Sequence, residues 1–185
     1  QPGTTTVTSR LQVVKAQGDN LPLVLDGQDL ELVSVAVDGI ELGSNEYQID
    51  DNSLTLLNLP GSCEIRIVNR IHPEKNIALE GLYKSRTMYC TQCEAEGFRK
   101  ITYYQDRPDV LSVFTTTIIV DAVEYPVALS NGNLIADELL ADGRRKVTWK
   151  DPFPKPSYLF ALVAGDLAVL DDEFVTCSGR SVTLR

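Results

Sequence analysis

An all-β chain is predicted by three features of these 185 residues. Helical periodicity is almost absent, apolar residues recur at every second position, and turn-forming pairs punctuate that alternation. In "LELVSVAVDGIEL" (30–42), Leu32, Val33, Val35 and Val37 read as a strand, and Asp38-Gly39 supplies the positive φ angles of a two-residue hairpin turn before Ile40 and Leu42. Further strands are expected over Ser53–Leu59, Cys63–Ile71, Val113–Val123, Arg145–Lys150 and Ser157–Thr176. Turns are expected at Pro60-Gly61, Asn131-Gly132-Asn133, Asp142-Gly143 and Ser178-Gly179. "DPFPKP" (151–156) reads as a rigid connector, because prolines at 152, 154 and 156 remove alternate ladder donors. Many short strands joined by turns give either two packed sheets, a sandwich, or a partly open barrel beside an extended sheet. No internal repeat or low-complexity tract interrupts the chain, so residues 1–185 are expected to fold as a single unit.

A chain of this length buries roughly 70% of its unfolded surface and needs no disulfide staples. Its 17 basic and 26 acidic residues give a formal charge of −9, spread along the sequence. Such a field repels a phosphate backbone, so no nucleic-acid partner is expected, and cationic or amine-bearing partners fit better. No run of about 18 apolar residues is present, and "QPGTTTVTSR" has no signal-peptide pattern, so no membrane partner is expected. Because the sequence does not begin with Met, a trimmed or excised chain is expected. Four scattered cysteines at low density favour the reducing cytoplasm.

Chemistry-bearing residues concentrate in "YCTQCEAEGFRKITYYQDRPD" (89–109). Cys90 and Cys93 have C-x-x-C spacing, but a closed zinc site needs four ligands, and Cys63, Cys177 and the sole histidine, His72, have no matching spacing. Glu94 and Glu96 follow closely and disfavour a low-pKa redox thiol, leaving two half-buried thiols in a loop. His72, beside Pro73, reads as a surface loop residue. One histidine cannot make H-E-x-x-H, and neither a G-x-S-x-G elbow nor a phosphate-binding glycine pattern occurs. The carboxylates remain: Glu94 either anchors an ammonium group or, like Glu96, pairs with Arg99 or Lys100 at the surface.

The stretch "TQCEAEGFRKITYYQDRPDVLSVFTT" (91–116) closely resembles the segment of the bacterial aminopeptidase N family of zinc metalloaminopeptidases that carries a T-Q-x-E-A recognition loop. The likeness continues in "YPVALSNGN" (125–133) and "DPFPKPSYLFALVAGD" (151–166), and more loosely in "LVSVAVDG" (32–39) and "NIALEGLYKS" (76–85), in the family's order. It implies the N-terminal β domain of such an enzyme, a saddle-like arrangement of sheets beside a catalytic domain of the same polypeptide.

By that resemblance Glu94 binds the free α-amine of a peptide substrate, and Gln92 lines the pocket for the first side chain. It also implies a constrained backbone at Glu94, with a cis peptide to Ala95. Zinc belongs to the full-length enzyme and none to this segment, which holds no catalytic residue and no metal ligand. Tyr103 and Tyr104 are not expected to be the family's transition-state tyrosine. The family's zinc helix, distal glutamate ligand and G-A-M-E-N strand are absent from these residues, so the segment alone is expected to be inactive. The competing expectation from composition is a non-catalytic β-sandwich interaction module.

Overall fold

The computed structural model describes residues 3–16 and 21–185; Gln1 and Pro2 of the stretch read for a signal pattern lie outside them. In chain order the strands are β1 (Thr5–Val14), β2 (Leu23–Asp26), β3 (Glu31–Val37), β4 (Ile40–Glu41), β5 (Tyr47–Ile49), β6 (Ser53–Leu56), β7 (Ser62–Ile71) and β8 (Gly81–Ser85). They continue as β9 (Met88–Gln92), β10 (Ser112–Asp121), β11 (Val127–Ser130), β12 (Asn133–Leu139), β13 (Arg144–Lys155), β14 (Leu162–Gly165), β15 (Asp172–Val175) and β16 (Ser181–Leu184). Every strand pairing among the described residues is antiparallel. The sheet orders are β1-β7-β3-β4, β2-β6-β5, β11-β14-β9-β8, β10-β13-β12 and β15-β16, and none closes into a barrel among the described residues. The chain is all-β and sandwich-like.

The centre of the first sheet is β7, whose alternate residues Cys63, Ile65, Ile67 and Ile71 are buried while Glu64, Arg66 and Arg70 point outward or lie half-exposed. Alternation of this kind commits one face of the strand to the core. Fully burying each isoleucine contributes roughly 1.5–3 kcal/mol. Cys63, Ile65 and Ile67, together with Leu25, Val35, Leu54, Leu56 and Tyr103, form the core between the β1-β7-β3-β4 and β2-β6-β5 sheets. The hairpin at Asp38-Gly39 forms as read, with φ of 49° and 82° and Val37 opposite Ile40. The adjacent apolar pair Leu32-Val33 is reconciled by a register shift against β7 between Leu32 and Ser34, which leaves Val33 exposed.

Two expectations are corrected. "DPFPKP" is not merely a connector, since residues 151–155 extend β13. Its partner β12 has ended by Lys150, and against β10 a register shift between the Phe114–Asp151 and Ser112–Lys155 pairs leaves Pro152 and Pro154 without a ladder partner, so no donor is required of them. The apolar run 157–176 is not one strand. It begins as a 3-10 turn at Ser157–Leu159, forms β14, and breaks after Gly165-Asp166 before β15.

The segment 98–106 is a seam between cores. Tyr103 enters the first core, whereas its neighbour Tyr104 enters a second, made with Ile71, Leu82, Cys93, Phe98 and Ile101. Both tyrosines are buried, and the Tyr104 hydroxyl donates to Ser112 Oγ at 2.7 Å. Backbone bonds between Asp26 and Tyr104, at 2.7 and 3.1 Å, and a bond from Asn69 Nδ2 to the Ile101 carbonyl, at 3.0 Å, stitch the seam to β2 and β7.

Candidate functional site

Glu94 stands on the turn that links β9 to the 3-10 turn Phe98–Lys100. The chain reverses there because Gly97 donates its N–H to the Cys93 carbonyl at 2.9 Å. A Cβ at Gly97 would lie 2.3 Å from the Gln92 carbonyl oxygen and 2.9 Å from Gly81 N, so only glycine lets the turn press against β8. Cys93 and Gly97 are buried, while Glu94, Ala95 and Glu96 between them are exposed. The Glu94–Ala95 peptide is cis, as the resemblance implied. Gln92 is exposed at the end of β9, and its Nε2 donates to the Glu94 carbonyl at 3.1 Å.

Beneath the turn the support is apolar on one side and ionic on the other. Phe98 makes edge-on contacts with Tyr104, Phe114 and Phe160 at centroid distances of 5.1, 5.7 and 5.1 Å. Each such pair contributes about 0.5–1.5 kcal/mol beyond its buried area. On the ionic side Asp106 has a side chain only 1% exposed. Its Oδ2 accepts from Arg99 N and Arg99 Nε, each at 3.1 Å, its Oδ1 accepts from the Ser157 hydroxyl, and its backbone carbonyl accepts from Arg99 Nη2 at 2.9 Å. A buried carboxylate needs that many donors to offset its lost hydration.

Arg99 pairs with Glu96 at 3.5 Å and lies 3.9 Å from Asp26, while Lys100 pairs with Glu80 at 2.7 Å. Surface pairing therefore describes Glu96, whereas among the described residues no cation lies within ion-pair distance of Glu94. Thr91 fastens the incoming side, its Oγ1 accepting from Leu162 N at 2.9 Å.

The structure places Gln92 at the exposed end of β9 and Glu94 on the exposed turn that follows, and it adds Asp106, Ser157 and Gly97, which the sequence reading did not single out. Asp106 lies seven residues beyond Arg99, a spacing with no helix to make it legible, and Ser157 meets Asp106 across 51 residues. Only the Gly97 position, directly before an aromatic and two cations, carried a local turn signal.

The other candidates resolve differently. Cys90 and Cys93 are free thiols. Burial, and then the Asp106 carboxylate, push the Cys93 thiol up to about 12, the opposite of an activated cysteine. His72 is not a free loop residue. It is half-buried at the end of β7, with Nε2 2.8 Å from Glu31 Oε1 and Nδ1 3.3 Å from the Gly3 carbonyl, and its hydrogen bond holds the Glu31 carboxyl below the usual range. Among the described residues no group of three or more His, Cys, Asp or Glu side chains is placed to hold a metal ion, so the residues present do not fit a zinc site. No helix is long and apolar enough to cross a membrane.

An all-β platform with an acidic turn of sequence Thr-Gln-Cys-Glu-Ala matches a known class. The family described as Peptidase M1 N-terminal domain matches residues 3–159, and the chain belongs to it. It is 53% identical over 180 residues to Aminopeptidase N of Escherichia coli (strain K12), covering 97% of this chain and 20% of that protein. It is 52% identical over 184 residues to Aminopeptidase N of Caulobacter vibrioides, covering 100% of this chain and 21% of that protein. The structure is similar to that of Legionella pneumophila aminopeptidase A in complex with aspartic acid, with a TM-score of 0.90 and 40% identity over 96% of this chain and 21% of that one. The chain thus spans about a fifth of the length of these relatives.

Proposed function

We propose that this chain is the N-terminal substrate-recognition domain, residues 1–185, of a longer zinc aminopeptidase that removes N-terminal residues from peptides. Glu94 is the acidic anchor for the substrate α-amine, and Gln92 lines part of the first side-chain pocket. The catalytic domain of the same polypeptide supplies the zinc ligands, which these residues do not provide. Cytoplasmic placement belongs to the same reading, and the unbridged cysteines fit it.

The observation that carries the reading is an exposed carboxylate without a cationic partner among the described residues, on a turn whose two flanks are buried. An ammonium group meeting such a carboxylate gains a charge-assisted hydrogen bond. Because the turn is held by β9, by the aromatic cluster and by Asp106, the anchored amine has a fixed distance to the rest of the substrate. That distance sets the register in which one residue is removed. Glu94 measures the substrate and takes no part in bond breaking. The relatives' name supports the reaction class, and the exposed apolar residues Leu134, Ile135 and Leu139 on β12 are compatible with a neighbouring domain packed there.

The test is kinetic. In the longer polypeptide, E94Q should raise KM and lower kcat for alanyl para-nitroanilide, together about 10–100-fold in kcat/KM, with zinc content and unfolding midpoint unchanged. The isolated chain should show no turnover. Near-normal kinetics in E94Q would remove the anchor role, and turnover by the isolated chain would overturn the division of labour.

A further inference from the structure

The turn carries two exposed carboxylates two residues apart, and one register of cleavage requires that only one of them hold the amine. Arg99 separates the two. Its guanidinium is fixed from below, Nε on Asp106 Oδ2 at 3.1 Å and Nη2 on the Asp106 carbonyl at 2.9 Å, while Asp106 itself is held by Arg99 N and Ser157. The remaining nitrogen, Nη1, is 3.5 Å from Glu96 Oε2 and 3.9 Å from Asp26 Oδ1. The Arg99 side chain is 14% exposed and that of Glu96 70% exposed. Such a pair adds little to stability, because solvent screens it. Its consequence is local: Glu96 already has a cation and Glu94 has none among the described residues.

We propose that Arg99 is a positioning residue that fixes the turn through Asp106 and occupies Glu96 with its remaining nitrogen, so that Glu94 alone receives the substrate amine. The inference rests on the reading of Glu94 as the amine anchor. Lysine cannot substitute, since one ammonium cannot hold both Asp106 acceptors in a planar fork and still reach Glu96. With Glu96 released, an ammonium group finds a second carboxylate in the wrong register, and substrate bound there is not cleaved.

The experiment measures kcat and KM of the longer polypeptide on alanyl para-nitroanilide for wild type, E94Q, R99K, E96Q and R99K/E96Q. R99K should lower kcat and KM together, each about tenfold, with kcat/KM within about threefold of wild type, because off-register binding occupies the enzyme unproductively. E96Q alone should stay within about twofold of wild type, and R99K/E96Q should regain kcat to within about threefold. That rescue is the readout a merely structural role would not give.

A normal kcat in R99K beside an impaired E94Q overturns the proposal and spares the anchor. An impaired R99K that E96Q does not rescue also overturns it, leaving Arg99 a packing residue. Unchanged kinetics in E94Q remove the anchor itself. Should R99K fail to fold, S157A loosens the same clamp from its far side. It should lower kcat about threefold with rescue by E96Q, and an unaffected kcat or a failed rescue there counts against the proposal.

Discussion

Two reversals of this backbone are built to opposite specifications. The turn at residues 93–97 rests on two buried flanks, an aromatic cluster and a carboxylate 1% exposed, with donors drawn from positions as distant as Ser157. Among the described residues the hairpin of β15 and β16 pairs only within itself, and Phe174, Val175 and Leu184 are exposed along it. Its tip is held by local bonds, Gly179 N to the Thr176 carbonyl at 2.9 Å and Arg180 N to Thr176 Oγ1 at 3.1 Å. Long-range, buried polar satisfaction is concentrated where a side chain must keep a fixed position, and local turn chemistry suffices where it need not.

The contrast breaks most readily at Asp106. Replacing it with Ala takes the buried carboxylate acceptor from half-buried Arg99 and from Ser157, so D106A should lose about 2–4 kcal/mol in urea unfolding. A loss under about 1 kcal/mol would show that the turn does not depend on its buried ion pair.

Each region carries a cysteine, which sharpens the comparison chemically. Cys93 is buried at the turn with its thiol raised to about 12, whereas Cys177 is exposed at the hairpin tip. A raised thiol pKa keeps the unreactive protonated form dominant until strongly alkaline pH. Iodoacetamide at about pH 8 should therefore label Cys177 at least a hundredfold faster than Cys93, with Cys93 catching up only on unfolding or as pH approaches its raised value. Equal rates in mass spectrometry would mean that the turn opens as freely as the hairpin.

The smallest effect belongs to the hairpin. Phe174→Ser removes an exposed side chain and should change thermal stability by less than about 0.5 kcal/mol. A larger loss would reveal packing that the exposed hairpin does not display.

What could be read in advance follows the same division. The Asp38-Gly39 hairpin and the alternation of β7 are local patterns and were legible as such. β1 alternates as well, but Thr5, Ser9 and Arg10 dilute its apolar signal, and β12 is exposed along its whole length, so one-sided burial never marked it. The prolines of β13 misled because their tolerance depends on where β12 ends and on a register shift against β10, which no local pattern reports. At the site, Gln92 and Glu94 came from resemblance to a family, since an exposed carboxylate alone does not distinguish an anchor from an ordinary ion pair. The Arg99, Asp106 and Ser157 clamp arises from tertiary contacts and was invisible until the chain was folded.

The central claim, that a stiffly mounted carboxylate takes the ammonium end of a peptide, is tested most directly by competition. Inhibition of the longer polypeptide by a free-amine tripeptide and by its N-acetylated twin should be compared in wild type and E94Q. Wild type should prefer the free amine about 10–100-fold and E94Q should lose most of that preference; an E94Q enzyme that discriminates as well as wild type would contradict the account.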